Sequence, residues 1–334
     1  MSPLHGRWSQ IVSHSRLCRS SQALSVHASK AYVFGGEVLP RQPIDNQIDL
    51  VSLDAEARGE FQTLAANKAP SPRVGTASVT AHDNIWLFSG RGGLAMDPIE
   101  EQGNLWRYST AESEWELVRT TSSLYPAARS YHATAFDGKN TIFLHAGCPA
   151  QGRLSDLWAF DIKTLAWTEL PHAPGPARGG TSIAFCNGKL YRMGGFDGEA
   201  EQGGSIDVYE PSTKTWDTIL FEADGTKGPT ARSVAALVAV QTSAGEPMLI
   251  SMFGEGDPSS LGHAGAGKMI NDVWSFSVGI LDWRKIEFAG GNAPTPRGWF
   301  AADVLREGDG DAVIVHGGLA EDNSRLGDVW RLDL

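Results

Sequence analysis

Short apolar runs that end in glycine recur along this chain. Each run follows an arginine, and a variable glycine-rich stretch comes after it. No segment keeps a helical period, so the pattern predicts short β-strands. The six runs are YVFGG (32–36), IWLFSG (85–90), TIFLHAG (141–147), LYRMGG (190–195), MLISMFG (248–254) and AVIVHGG (312–318).

The arginines and the aromatic residues share this repeat. Four short strands in each unit of roughly 50 residues, with paired glycines and periodic tryptophans, are typical of the blades of a Kelch-type β-propeller. Six arginines at one structural position are expected to donate to carbonyls of a neighbouring loop rather than to act on a ligand. They are Arg19, Arg73, Arg129, Arg178, Arg232 and Arg297.

The two ends of the chain predict the number of blades. The sixth repeat carries Trp330 in DVWRLDL, which matches a third strand, and no fourth strand follows. Trp8 in GRWSQIV precedes the first repeat and matches the fourth-strand pattern. Pairing these segments would remove an exposed sheet edge. The sequence therefore predicts an all-β, six-bladed propeller, a single domain over residues 1–334 in which residues 1–15 complete the sixth blade.

Composition narrows the function classes. The formal net charge of −11 argues against a nucleic-acid binder, whose electrostatic footprint is basic. No apolar stretch is long enough to span a membrane, and the N-terminus lacks the apolar segment of a secretory signal. Three cysteines are too few for a disulfide framework. We therefore expect a cytoplasmic protein with no nucleic-acid or membrane partner.

Residues just after the glycines are expected to encircle one mouth of the central channel. They combine carboxylates, an arginine, a thiol and an aromatic ring, which suits a polar pocket with an apolar wall. A merely solvated mouth is the alternative. The residues are Glu37, Arg91, Cys148, Phe196, Glu255 and Leu319. Arg153 and Trp299 lie outside the repeated positions, and we expect Arg153 to face the mouth and Trp299, on an inner strand, to line the channel.

The segment GEGDPSSLGHAGAGKMIND (254–272) is the most unusual loop, and its glycines would let it fold over the mouth. It places Glu255, Asp257 and His263 within nine residues. A carboxylate and an imidazole on one loop can form an acid–base pair or can ligate a metal. A solvated loop with a chance histidine is the third interpretation.

Several loops resemble those of the plant nitrile-specifier, thiocyanate-forming and epithiospecifier proteins and their fungal relatives, all of Kelch type. The most specific stretches are FGGEVLPRQPID (34–45), GRLSDL (152–157), ARGGTSIAFCNGKLYRMGGFDG (177–198) and FGEGDPSSLGHAGAG (253–267). In that family a Glu-x-x-x-Asp-x-x-x-His motif is thought to hold ferrous iron. The resemblance implies Glu255 and His263 as ligands, with Ser259 in place of the aspartate. It also implies that Arg91 and Arg153 hold an anionic substrate.

A serine hydroxyl is a poor iron ligand beside a carboxylate, so we expect no firmly held cofactor and at most weakly bound Fe(II). The leading hypothesis is acid–base-assisted rearrangement, ring opening or cyclisation of a reactive small molecule in specialised metabolism. Its reaction class would be that of an isomerase or lyase. Glu255 and His263 are the predicted catalytic pair, and Glu37, Arg91, Arg153, Phe196 and Trp299 are the predicted substrate-binding residues. A Kelch module that binds a protein partner without catalysis is the alternative.

Overall fold

Six antiparallel sheets of four blade strands each form the protein, as the predicted propeller requires. The structure is a computed structural model that describes residues 4–65, 67–260, 265–308 and 310–334. Within these ranges the one helical element is a 3-10 turn, Ser15–Leu17, and no helix could cross a membrane. The prediction of an all-β, six-bladed fold is confirmed.

In each of the first five blades, the strands run outward from the channel in chain order. The blade strands are Ala23–His27, Lys30–Phe34, Ile48–Ser52 and Phe61–Leu64 in blade 1; Ala77–Ala81, Asn84–Phe88, Leu105–Ser109 and Glu114–Val118 in blade 2; Ala133–Phe136, Thr141–Gly147, Leu154–Asp161 and Ala166–Leu170 in blade 3; Ser182–Cys186, Lys189–Met193, Ser205–Glu210 and Thr215–Leu220 in blade 4; Ala236–Gln241, Pro247–Met252, Val273–Ser277 and Asp282–Lys285 in blade 5; and Ala301–Leu305, Ala312–His316, Asp328–Asp333 and His5–Ser13 in blade 6.

Blades 1, 2 and 5 each carry an extra two-stranded hairpin between their second and third strands. We call these the rim hairpins, because they extend from the mouth of the channel. Their strands are Glu37–Leu39 with Gln42–Pro43, Arg91–Gly92 with Asp97–Pro98, and Glu255–Asp257 with Lys268–Met269.

The N-terminal strand closes the propeller. His5–Ser13 pairs antiparallel with Asp328–Asp333, and its other edge pairs in parallel with a short strand, Glu287–Phe288. Trp8 stacks on Phe253 and Phe288, with ring centroids 5.9 Å apart in both contacts. The last blade is therefore built from both ends of the chain, as the matching tryptophan patterns predicted.

Glycine is required where the second strand of a blade meets the next blade. Gly35 and Gly194 have φ of +68° and +67°. A Cβ at either residue would lie 2.6 Å from the carbonyl oxygen of the following blade's repeat arginine, Arg73 or Arg232. A larger residue would both be strained and collide, which explains the glycines of the repeat.

Most tryptophans pack between blades. Trp167, for example, contacts Trp158 of its own blade with centroids 6.4 Å apart and Phe88 of blade 2 at 5.7 Å. These rings fill the space that widens between blades away from the axis. Nine of the eleven tryptophans lie on third or fourth strands: Trp8, Trp106, Trp115, Trp158, Trp167, Trp216, Trp274, Trp283 and Trp330.

The repeat arginines are buried and structural, but their acceptors differ from the expectation. Arg129 donates to the Ala146 carbonyl at 3.0 Å and to both oxygens of Asp156 at 2.7 and 2.8 Å. The carbonyl belongs to the same blade, not to a neighbouring loop, because the first hairpin brings the end of strand two alongside the arginine. Blade 4 departs from the pattern, since its Asp207 pairs with Arg192 at 2.9 Å.

Candidate functional site

Six residues encircle the mouth, one from each blade. Each forms an isolated antiparallel bridge with the residue that follows a repeat arginine. This bridge fixes the backbone just beyond the paired glycines and directs that part of each blade toward the opening. The bridged pairs are Glu37–Ser20, Arg91–Val74, Cys148–Ser130, Phe196–Gly179, Glu255–Ser233 and Leu319–Gly298.

A second ring lies next to these bridges, and we call it the inner ring. Each member's backbone N–H donates to the carbonyl of the member one blade before it, so six hydrogen bonds of 2.7–3.2 Å close the circle. All six members have positive φ, between 44° and 63°. The members are Ser21, Gly75, Tyr131, Gly180, Val234 and Trp299. Trp299 thus precedes its inner strand, Ala301–Leu305, rather than lying on it as expected, because the ring geometry interrupts the strand.

The mouth holds two adjoining cavities that share Tyr131, Cys148 and Trp299 as walls. The first has a volume of about 180 Å³, and we call it the arginine chamber. The second has a volume of about 230 Å³, and we call it the glutamate chamber because Glu255 lines it. Both are of a size for a small molecule or one part of it.

The arginine chamber contains Arg91, Arg41, Arg325 and Glu37. Arg91 donates to Ser130 Oγ at 2.8 Å, to the Met96 carbonyl at 3.0 Å and to the Pro149 carbonyl at 2.8 Å. These acceptors are all neutral, so the positive charge of Arg91 is not cancelled by them.

Glu37 is the acidic group of the same chamber. It accepts the Arg41 N–H at 2.6 Å and lies 3.6 Å from the guanidinium of Arg325. Burial raises the pKa of Glu37, and these two arginines oppose the rise. Arg325 was missed from the sequence, because nothing in its loop distinguishes it from a solvated arginine.

Glu255 is the buried acid of the glutamate chamber, with 5% of its surface exposed. Its carboxylate accepts the Gly267 N–H at 2.8 Å and the Ser259 N–H. Burial nevertheless raises the pKa of Glu255 to about 7, with both N–H donors lowering it in part. A carboxyl group whose pKa lies near neutrality is suited to give or to take a proton.

Arg153 and Phe196 form another wall of the glutamate chamber. The guanidinium carbon of Arg153 lies 5.0 Å from the centroid of the Phe196 ring, a cation–π contact. The buried Nε of Arg153 has no hydrogen-bond acceptor among the described residues. The structure therefore brings Arg153, Phe196, Glu255 and Trp299 to one cavity, and Glu37 and Arg91 to its neighbour.

Glu201, next to this site, was missed from the sequence. Its loop, DGEAEQGG, carries three acidic residues that look alike in sequence, and only the fold shows which one is enclosed. Burial raises the pKa of Glu201 to about 8; the Ser233 side chain lowers it, and the negative charges of Glu255 and Asp197 raise it further. Neither carboxyl oxygen of Glu201 makes a well-formed hydrogen bond to the described residues.

Glu201 should make stability depend on pH. Its folded pKa of about 8 lies above the unfolded value of roughly 4.3. Its contribution is therefore fully present below about pH 4 and is lost as the pH rises toward 8. Glu201→Gln removes this loss. We therefore expect the substitution to raise the free energy of unfolding at pH 8 by on the order of 1 kcal/mol more than at pH 5, after solvent screening. Calorimetric Tm values at both pH values check this, with exposed Glu199→Gln as control. A change in Tm of the same size at pH 5 and pH 8 for Glu201→Gln would contradict this prediction.

The fifth-blade loop contributes to both cavities. Pro258 and Ser259 line the glutamate chamber, and Gly265 lines the arginine chamber. The loop is attached to blade 6, where Ala266 N–H donates to Asn323 Oδ1 at 2.6 Å. Asp257 is exposed. The predicted catalytic partner His263 lies outside the described residues.

Of the ferrous site that the resemblance implies, the described residues include Glu255 and Ser259, and His263 lies outside them. No group of three or more His, Cys, Asp or Glu residues in those ranges is placed to hold a metal ion. Ser259, which stands in place of the aspartate, donates its backbone N–H to the Glu255 carboxylate, and its hydroxyl is a poor iron ligand beside a carboxylate. We therefore derive no chemical step through iron.

Comparison with known proteins gives both a family and a set of relatives. The profile of the KLHDC2/KLHL20/DRC7 Kelch-repeats domain matches residues 21–245. N-(sulfonatooxy)prop-2-enimidothioate sulfolyase of Thlaspi arvense is 28% identical over 93% of this chain and 91% of its own length. Multiple epidermal growth factor-like domains protein 8 of Mus musculus is 26% identical over 77% of this chain, and the leucine-zipper-like transcriptional regulator 1 homolog of Drosophila melanogaster is 22% identical over 94%. The matches span only 9% and 31% of those two proteins.

Proposed function

This chain belongs to the Kelch-repeat family, and we propose that it is a lyase- or isomerase-like catalyst that rearranges a reactive small molecule in the two chambers. Similarity to a plant protein named as a sulfolyase, along nearly the full length of both chains, supports a lyase-like role. The observation that carries the proposal is Glu255, a buried carboxyl group on a chamber wall with a pKa of about 7.

In this proposal, Glu255 transfers the proton that bond breaking or rearrangement requires. Near pH 7 both of its protonation states are populated, so it can protonate a leaving atom or remove a proton from the substrate. Arg153 lines the same cavity, and its positive charge would stabilise negative charge that develops on the substrate. Arg91 would hold an anionic or carbonyl group in the arginine chamber. The cytoplasmic setting and a role in specialised metabolism stay predictions.

The substrate can be sought directly. Metabolite extracts incubated with the wild-type protein and with Glu255→Gln are compared by mass spectrometry. Under the proposal, one compound is depleted and an isomer or a fragment of it appears only with the wild type. If no compound changes in extracts from the source organism, catalysis is not supported.

Arg91 gives a prediction that concerns binding. Arg91→Ala should raise KM about tenfold and leave kcat nearly unchanged, because a charge that anchors a non-reacting group acts equally on the bound substrate and the transition state. The variant also loses the four hydrogen bonds of the Arg91 side chain, so its Tm is measured alongside. Arg107→Ala, which breaks an exposed ion pair with Glu116 on blade 2, is the control. A fall in kcat with KM unchanged would contradict the anchoring role.

A protein-binding role is the second candidate, and one surface favours it. Leu39 and Leu94 are exposed at the rim hairpins of blades 1 and 2, and Arg41 joins the hairpins by donating to the Ala95 carbonyl at 3.3 Å. Several relatives are far longer proteins in which the match is one part. Leu39→Ser with Leu94→Ser would abolish such binding and leave small-molecule turnover intact.

A further inference from the structure

Trp299 differs from every other tryptophan of the chain. Within the described ranges, each of the other ten contacts another aromatic ring or makes a cation–π contact, such as Trp8 with Phe253 or Trp274 with Lys285. The indole of Trp299 has no such contact and no hydrogen bond in those ranges, although it is partly buried and lines both chambers. We infer that Trp299 is a stacking surface for a planar, conjugated group of the substrate, such as an aromatic or bicyclic ring.

The backbone at Trp299 supports a role in binding rather than folding. Its φ is +50°, in the left-handed region that costs a non-glycine residue about 1–2 kcal/mol. Two equivalent positions of the inner ring, Gly75 and Gly180, hold glycine, which meets the same hydrogen bonds without that cost. Glycine would suffice at this position, so a ligand contact would explain why a bulky aromatic residue is found there.

The glutamate chamber has the character that such a ligand needs. Phe196 and Pro258 give it apolar walls beside Trp299, and the Arg153 guanidinium lies above the Phe196 ring. An aromatic ligand gains stacking and apolar burial here, and a carboxylate on it would meet the positive charge of Arg153, which lines the same chamber. The inference rests on the proposed function, because it takes this chamber as the substrate site and adds that the substrate is planar and conjugated.

Two probes of equal charge separate stacking from simple apolar burial. 2-Naphthoate is planar and aromatic, and decahydro-2-naphthoate is its saturated, non-planar counterpart. Binding of each to the full-length protein is measured by isothermal titration calorimetry. We expect 2-naphthoate to bind about three- to tenfold more tightly, which is the usual gain from an aromatic pair.

Variants then assign the preference to Trp299. Trp299→Gly should abolish it, and Trp299→Phe should keep part of it. Ser21→Gly is the control, because it removes a positive-φ side chain from the same ring, with φ of 58°, and leaves the indole in place. Equal binding of both probes, binding of neither, or a preference that survives in Trp299→Gly would each overturn the inference. No turnover is involved, so an inactive protein that still prefers 2-naphthoate would contradict the proposed catalysis and not the stacking surface.

Discussion

Glu255→Gln is expected to lower kcat on the identified substrate by about 10²–10⁴-fold, which is the usual contribution of a positioned acid or base. Glutamine keeps the size of the side chain and an oxygen that can accept the Gly267 N–H, but it cannot transfer a proton. The fold should persist, because a neutral amide replaces a carboxyl group that burial already holds partly protonated. Rates of product formation under saturating substrate give the measurement.

The pH dependence of the same rate tests the assignment. The wild-type profile should contain an ionisation near pH 7, and Glu255→Gln should lack it. Glu114→Gln, an exposed substitution on the outer strand of blade 2, serves as the control and should match the wild type. Full activity of Glu255→Gln, or an unchanged profile, would show that another group transfers the proton.

Deleting residues 1–13 should lower the free energy of unfolding more than any of the single substitutions above. The deletion uncovers the edge of Asp328–Asp333 and removes Trp8 from its contacts with Phe253, Phe288 and Trp330. The cost should exceed the roughly 3–5 kcal/mol of one large aromatic truncation, out of a total stability of about 5–15 kcal/mol. We expect Tm to fall by about 10 °C or more. The exposed edge should also promote aggregation.

Calorimetry measures the fall in Tm, and light scattering measures the aggregation. A synthetic peptide of residues 4–13 added to the truncated protein should restore part of the lost Tm, because it can pair with the open edge. Trp8→Ala keeps the strand and should give a smaller fall. A truncated protein that stays monomeric with unchanged Tm would disprove the closure of the propeller by this strand.

The repeat made the fold predictable, because the same sequence features recur in each blade independently of the others. The apolar run of strand two, the glycine that Arg73 or Arg232 forces on it, and the tryptophans of strands three and four recur in sequence as they do in space. Trp8 and Trp330 then gave the number of blades, because their patterns assign the two end segments to one blade. The salt bridge of Arg129 with Asp156 was not foreseen, since the carboxylate lies 27 residues away, on the third strand of the blade and beyond a loop of variable length.

The site was only partly predictable. Position after the glycines was enough to bring Glu37, Arg91 and Glu255 to the mouth, because the blade geometry fixes that point of the chain. Glu201 and Arg325 lie in loops whose course depends on their neighbours, so neither burial nor pairing could be anticipated. The division of the mouth into two chambers depends on Tyr131 and Trp299, whose shared ring position is visible only in three dimensions.

In the inner ring, the backbone serves the fold and the side chains are left for ligand recognition. Its six hydrogen bonds use only backbone atoms, so the circle forms with glycine, serine, valine, tyrosine and tryptophan as members, and each non-glycine member carries the cost of a positive φ. Evolution can therefore change side chains of this ring, and with them the shape of the chambers, while the backbone hydrogen bonds stay in place. A combinatorial library at Ser21, Gly75, Tyr131, Gly180, Val234 and Trp299 would exploit the same freedom in the laboratory, turning one propeller into a set of receptors with different ligand preferences.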